Sequence, residues 1–234
     1  MLSLVHLTKE YGKTRVVDDI TLDIESGTTF GFLGPNGAGK TTTIKMIVGL
    51  SHPSAGTVNI NCGDPRDKSV RERIGFMPED PYFYDHLTGS EFLSFCANLF
   101  PKKSPRKHSD ILKSVGMFEY RNQPIYTYSK GMKQRLGLAQ ALVNDPQYLF
   151  LDEPLDGLDP IGRAEIKKVL LELKKRKKTI FLNSHILSDV EEICDEIGII
   201  NKGKLIFSGK VKEFCDGKNL ESRFVDVINQ DNKS

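Results

Sequence analysis

The densest chemistry in this chain lies in Gly34-Pro35-Asn36-Gly37-Ala38-Gly39-Lys40-Thr41, with Thr42 directly after it. The run fits GxxxxGK(S/T), follows a strand-like segment and opens a helical one, which is the context in which the pattern carries physical meaning. Its glycines let the backbone curl so that successive N–H groups point inward at β- and γ-phosphates. The helix N-terminus adds its positive end, Lys40 a point charge, and the Thr41 hydroxyl a position for Mg²⁺. A dinucleotide turn fits poorly, because the glycine spacing is not GxGxxG. The second group is Tyr148-Leu149-Phe150-Leu151-Asp152-Glu153, an apolar strand that delivers two adjacent carboxylates where ligands bind in open α/β sheets. Asp152 is the natural Mg²⁺ partner and Glu153 can polarise an attacking water, so the two motifs together describe nucleotide hydrolysis rather than binding alone. The guanine-reading NKxD is missing, since Asn201-Lys202-Gly203-Lys204 has Lys where Asp is needed; ATP is the expected nucleotide. A small kinase would share the phosphate loop but would not need the further motifs described below.

Elements of both periods must position these groups. Strand-like runs at residues 2–7, 16–24 and 28–33 lead into the loop, and residues 41–50 carry apolar positions at helical spacing before Gly49. A strand follows at 57–61. From about 87 to 141 the character turns helical, interrupted at Pro101 and Pro105, and reads as an inserted helical lobe before the short strand 147–151. Then come helix 160–177, strand 179–183, helix 188–196 and two strands at 198–201 and 204–208. The alternation argues for an α/β fold, a parallel sheet covered by helices with β-rich material in front. Residues 217–234 are polar and read as a short helix with a loose tail.

Composition sets the outer bounds. The 234 residues carry Lys+Arg 33 against Asp+Glu 31, a formal net charge of +2, with 38% hydrophobic and 27% charged residues. That is material for one large domain or two lobes sharing a core, and a near-neutral balance disfavours nucleic acid as the main partner. No run approaches the roughly 18 to 20 apolar residues that a membrane span needs, and the first residues have no basic flank before a long apolar stretch, so neither a span nor a secretion signal is expected. The four cysteines, Cys62, Cys96, Cys194 and Cys215, lack metal-ligand spacing and read as reduced thiols. The basic run at residues 174–178 reads as a solvated helix end.

Further motifs, in order along the chain, give the sequence a resemblance to the ATP-binding subunit of ABC transporters. Tyr128-Ser129-Lys130-Gly131-Met132-Lys133-Gln134-Arg135 resembles the family signature LSGGQ with its QR extension, although Tyr128, Lys130 and Met132 replace Leu, Gly and Gln. Asp156-Gly157-Leu158-Asp159 is similar to the D-loop, and His185 falls at the switch histidine. Tyr11 falls where an aromatic ring stacks on adenine, and Glu79 stands where the family has its glutamine loop. YSKGMKQR with MPED is similar to the subset serving ABC-2-type exporters. The resemblance implies a P-loop NTPase core with a mostly parallel sheet, an N-terminal antiparallel β subdomain and an inserted helical subdomain, all in a single nucleotide-binding domain.

It also implies roles. ATP and Mg²⁺ would be the cofactors, with Glu153 and His185 catalytic, residues Gly34 through Thr42 on the phosphates, and Thr41, Asp152 and Glu79 near the metal. Ser129 and Gly131 would contact the γ-phosphate held by a second subunit in a head-to-tail homodimer or heterodimer. The partner would be a separate transmembrane permease, which places the chain on the cytoplasmic face of the membrane. Pro81-Tyr82-Phe83-Tyr84 leaves two readings open: an exposed groove for a cytoplasmic helix of that permease, or core packing of the helical lobe. The rival from another class is a soluble ABC-type ATPase acting on DNA or ribosomes, whose usual paired nucleotide domains or long coiled-coil insertion are not seen in this sequence.

Overall fold

Three short runs, Thr29–Leu33, Tyr148–Asp152 and Thr179–Asn183, are largely apolar on both faces and buried at every position. Strands of that kind are stable only inside a sheet covered on both sides. In the computed structural model, which describes residues 1–101 and 106–233, that is where they lie. In chain order the elements are β1 (Leu2–Tyr11), β2 (Thr14–Ile24), β3 (Thr29–Leu33), α1 (Lys40–Ile47), β4 (Ala55–Ile60), α2 (Lys68–Arg71), β5 (Ile74–Met77), α3 (Gly89–Asn98), α4 (His108–Ser114) and α5 (Lys130–Leu142). There follow β6 (Tyr148–Asp152), α6 (Pro160–Lys175), β7 (Thr179–Asn183), α7 (Leu187–Ile193), β8 (Glu196–Asn201), β9 (Lys204–Lys210), α8 (Val211–Cys215) and α9 (Leu220–Asp231).

The main sheet has the order β5-β6-β7-β3-β8-β9, parallel except for β9 against β8. A second sheet, β2-β1-β4, is antiparallel. Side-chain alternation divides the apolar interior between them. Phe30, Phe32, Phe150 and Phe181 face the antiparallel sheet, with the Phe181 ring 5.6, 5.3 and 6.1 Å from those of Phe30, Phe32 and Phe150. Leu33, Leu149, Leu151, Ile180 and Leu182 point the other way, into a cluster shared with the helices. Because β3, β6 and β7 run in parallel, their C-terminal ends open on one edge, where the phosphate loop and the two carboxylates meet.

Helices α3, α4 and α5 pack on one another between β5 and β6. Thr88 and Glu91 form a reciprocal capping box at the start of α3, and Ser129 caps α5 by accepting from the Met132 N–H at 3.2 Å. Tyr128, a departure from the signature pattern, is buried and donates its hydroxyl to the Tyr120 carbonyl at 2.7 Å. The bulk that replaces leucine is therefore absorbed by the helical region. The aromatic run divides by alternation: Phe83 is buried with its ring 5.1 Å from that of Phe92, whereas Tyr82 and Tyr84 are exposed.

Four expectations need correction. Helix α7 ends at Ile193 rather than near 196, because Glu196 already pairs with Phe30 as the first residue of β8. The four-residue strand β5 was not expected as a strand; it pairs in parallel with β6. The C-terminal region is not loose: α9 buries Leu220 and lays Phe224, Val227 and Ile228 on the core, and Asn201 donates to Asp231 at 2.7 Å. The basic run is solvated only in part, since Lys174 pairs with Asp195 and Lys178 with Asp145. Pro105 and Ser234, which figured in the sequence reading, lie outside the described residues. Among the described residues no helix is long and apolar enough to cross a membrane. The cysteines are free; Cys96, Cys194 and Cys215 are buried, and burial pushes the Cys96 thiol up to about 11.

Candidate functional site

The site begins where β3 runs out. At Gly34 a Cβ would stand 2.3 Å from the Ile200 carbonyl, and at Gly39, whose φ is +109°, it would stand 2.6 Å from the Val16 carbonyl. The loop is thus pressed between β2 and β8, and only glycine fits at either position. Helix α1 starts at once with Lys40, whose side chain is buried and donates to the Gly34 and Pro35 carbonyls at 2.7 and 3.1 Å. Burial pulls this ammonium below the ordinary lysine value, against the opposing pull of Glu153, Asp152 and Glu79. Thr43 donates back to the Gly39 carbonyl at 2.9 Å and secures the first turn.

Above the loop is a cleft of about 510 Å³ lined by Asn36, Gly37, Gly39, Lys40, Thr41, Thr42, Glu79, Glu153, Asp156, Asn183, His185 and Val16. Gly34, Pro35, Ala38 and Asp152 are not among the lining residues. Asp152 ends β6 directly opposite Asn183 of β7, and the Asn183 amide donates to its carboxylate. Glu153 comes next with φ of +53°, a left-handed conformation that a non-glycine residue holds only under constraint. Its N–H donates to the Asn183 carbonyl at 2.9 Å. Its Oε2 lies 2.8 Å from His185 Nδ1 and accepts the His185 backbone N–H at 3.2 Å. Burial pushes the Glu153 carboxyl above the ordinary carboxylate range, while the His185 contacts and the Lys40 charge hold it down. The result is a carboxylate with raised proton affinity, held beside a phosphate cradle.

Other expected residues lie elsewhere. Tyr11 ends β1 as an exposed ring with Lys9 Nζ 5.0 Å from its centroid, outside the residues that line the cleft. Ser129 and Gly131 line a different cleft, of about 560 Å³, with Gly157, Leu158 and Asp159. Lys130 bridges the two regions by pairing with Asp156 at 2.6 Å. Two residues were given no role of their own by the sequence, although Gln134 lies in the QR extension of the signature-like run. Asn183 was findable from the register of β6 and β7, but Gln134, whose Nε2 donates to the Glu153 carbonyl at 2.8 Å, bonds across a fold that no local pattern reveals.

The donor set fits a Mg²⁺ ion shared with phosphates. Among the described residues no group of three or more His, Cys, Asp or Glu gathers to hold a metal. A Mg²⁺ held by one carboxylate, a hydroxyl and phosphate oxygens needs no such cage. Beside Asp152, the buried Asn183 Oδ1 has no hydrogen-bond partner among the described residues, a spare acceptor next to that carboxylate.

A family model described as ABC transporter matches residues 17–156, which span the phosphate loop, the signature and the β6 carboxylates. The chain belongs to the ABC transporter family. It is 46% identical over 205 residues to an uncharacterized ABC transporter ATP-binding protein of Nostoc sp., covering 85% of this chain and 61% of that one. It is 36% identical over 228 residues to the lantibiotic transport ATP-binding protein SrtF of Streptococcus pyogenes, covering 97% of each. A solved structure described as the ATP binding subunit of an ABC transporter superposes with a TM-score of 0.88 at 28% identity, over 97% of this chain and 99% of that one. The chain spans about three-fifths of the length of that Nostoc relative and of a similar ATP-binding protein of Synechocystis sp.. As an ABC nucleotide-binding fold it has the expected P-loop core, antiparallel front sheet and ATP or ADP as its class of ligand.

Proposed function

We propose that this chain is the ATP-binding and ATP-hydrolysing subunit of an ABC transporter, powering a separate membrane-spanning permease from the cytoplasmic face, and that the transporter is an exporter. The observation that carries this is one cleft in which the phosphate loop meets a His185-held Glu153, with Asp152 bonded to Asn183 of the same lining. Export is supported by the lantibiotic transport relative, which matches over nearly its whole length. In this reading the chain is one nucleotide-binding domain, with residues 87–141 as its inserted helical lobe.

Each residue then has a task. The loop N–H groups cradle the phosphates, and Lys40 exchanges the Gly34 and Pro35 carbonyls for phosphate oxygens. Thr41 and Asp152, with Glu79 in the cleft lining, would hold Mg²⁺, which would supply positive charge to stabilise the phosphates. Glu153 accepts the proton of the attacking water, and His185 engages Oε2, which leaves Oε1 for that water. The exposed Tyr11 ring offers a platform for the adenine base.

Ser129 and Gly131 lie in the other cleft, so they serve a nucleotide held by a second subunit. One chain carries both halves, so two copies arranged head to tail complete two sites. The exposed Tyr82 and Tyr84, four residues or fewer beyond Pro81 and close in sequence to Glu79, present the surface for a cytoplasmic helix of the permease. The test is phosphate release by the purified chain with ATP, with and without Mg²⁺. Turnover that needs the ion supports the reading; ATP binding without turnover, even with the permease supplied, contradicts it.

A further inference from the structure

Gln134 sits on α5 with a relative exposure of 3%, a position where an apolar side chain would normally pack. Its amide Nε2 donates to the Glu153 carbonyl at 2.8 Å. A carbonyl only accepts, so the amide nitrogen must face it. The peptide it holds is unusual, because Glu153 has φ of +53°. Three hydrogen bonds clamp that residue's backbone: its N–H to the Asn183 carbonyl, and its carbonyl to the Asp156 N–H at 3.1 Å and to Gln134. Only the last comes from the helical lobe. The helix that supplies it begins at Ser129 and Gly131, on the face assigned to the second subunit's nucleotide.

We propose that Gln134 is a positioning residue for the hydrolytic step: a buried strut from α5 to the Glu153 peptide that keeps the Glu153 carboxylate aimed at the attacking water. The inference rests on the reading of Glu153 as the base. Gln134 does not line the nucleotide cleft, so it touches neither ATP nor the water. Losing the strut frees the left-handed peptide to relax and swings the carboxylate without altering the phosphate cradle. The strut also joins the helix that meets the second subunit to the base, so that docking of α5 and alignment of Glu153 are mechanically linked.

The test uses Gln134→Glu, which keeps the shape and removes the N–H donor, and Gln134→Met, which removes all polarity, alongside Glu153→Gln. A displacement of the base by about 1 Å is worth up to about 100-fold in rate. Each Gln134 variant is therefore expected to lose about 10- to 100-fold in kcat, with KM for ATP within about twofold of wild type. Adding Gln134→Met to Glu153→Gln should leave the residual rate of Glu153→Gln unchanged, because the strut acts only through that residue. If Glu153→Gln hydrolyses ATP like wild type, the reading of Glu153 as the base falls, and this inference with it. If Glu153→Gln is inactive yet both Gln134 variants keep wild-type kcat, or lose ATP affinity in step with rate, the positioning role alone is overturned. The same holds if the double variant is slower than Glu153→Gln, or if thermal melts show that neither Gln134 variant folds.

Discussion

Replacing His185 with alanine separates the two influences on Glu153. Burial raises the Glu153 carboxyl, and His185 opposes it through its charge, its backbone N–H and its Nδ1 contact at 2.8 Å. The alanine variant removes the ring but keeps the backbone N–H at 3.2 Å. A hydrogen bond to a charged group is worth about 1.5–3 kcal/mol, and about 1.4 kcal/mol corresponds to one pH unit. The His185 side chain is 53% exposed, so solvent screens it and the lower end of that range applies. The sign follows from the charge: the lost contact favoured the carboxylate, so its removal raises the carboxyl further. Hydrolysis needs the carboxylate, so activity is lost as pH falls through that raised value. The acid limb of kcat should move upward in pH in His185→Ala. Steady-state phosphate release across the range in which both proteins stay folded reads it out. An acid limb that stays in place, or moves down, refutes the assignment of His185 as the group that keeps Glu153 ionised.

Lys40→Ala removes a buried ammonium placed among phosphate-facing groups; at about 1.5–3 kcal/mol for a charge-assisted contact, ATP affinity should fall about 10- to 150-fold by titration calorimetry. An affinity within about threefold of wild type would contradict the cradle. Phe181→Ala empties the junction with three other phenylalanine rings on the face of the main sheet toward the antiparallel sheet, and a cost of about 3–5 kcal/mol is expected in denaturant unfolding. A cost below about 1 kcal/mol would show that this face is not close-packed.

What the sequence made legible was local. The phosphate loop is a continuous run between a strand and a helix, and Asp152 and Glu153 end a strand apolar enough to read as buried, so both could be found by scanning along the chain. The order of strands could not: nothing local says that β7 lies between β3 and β6, and so nothing shows that Asn183 stands opposite Asp152. Gln134 is hidden for the same reason, because its partner is 19 positions away and on another element. Helix α9 was underrated because its residues are mostly polar, while Leu220, Phe224, Val227 and Ile228 recur at helical spacing and dock as a stripe. Tyr82 to Tyr84 could not be assigned because a three-residue aromatic run carries no phase; the structure shows the middle ring buried and its neighbours out. Tyr11 shows the opposite limit: motif position alone put an aromatic ring there, and the structure leaves that ring exposed, outside the residues that line the cleft.

The central claim is that Glu153 is the hydrolytic base in a site completed by a second subunit. Its most direct test is Glu153→Gln, which keeps the side-chain shape and the His185 contact but cannot accept a proton, measured by light scattering with ATP and Mg²⁺ beside wild type. The account predicts that the variant keeps only a small residual hydrolysis and accumulates as an ATP-bound dimer, while wild type dimerises only in passing because it consumes the γ-phosphate that joins the two chains. A variant that still hydrolyses ATP at the wild-type rate, or that binds ATP and remains a monomer, would contradict it.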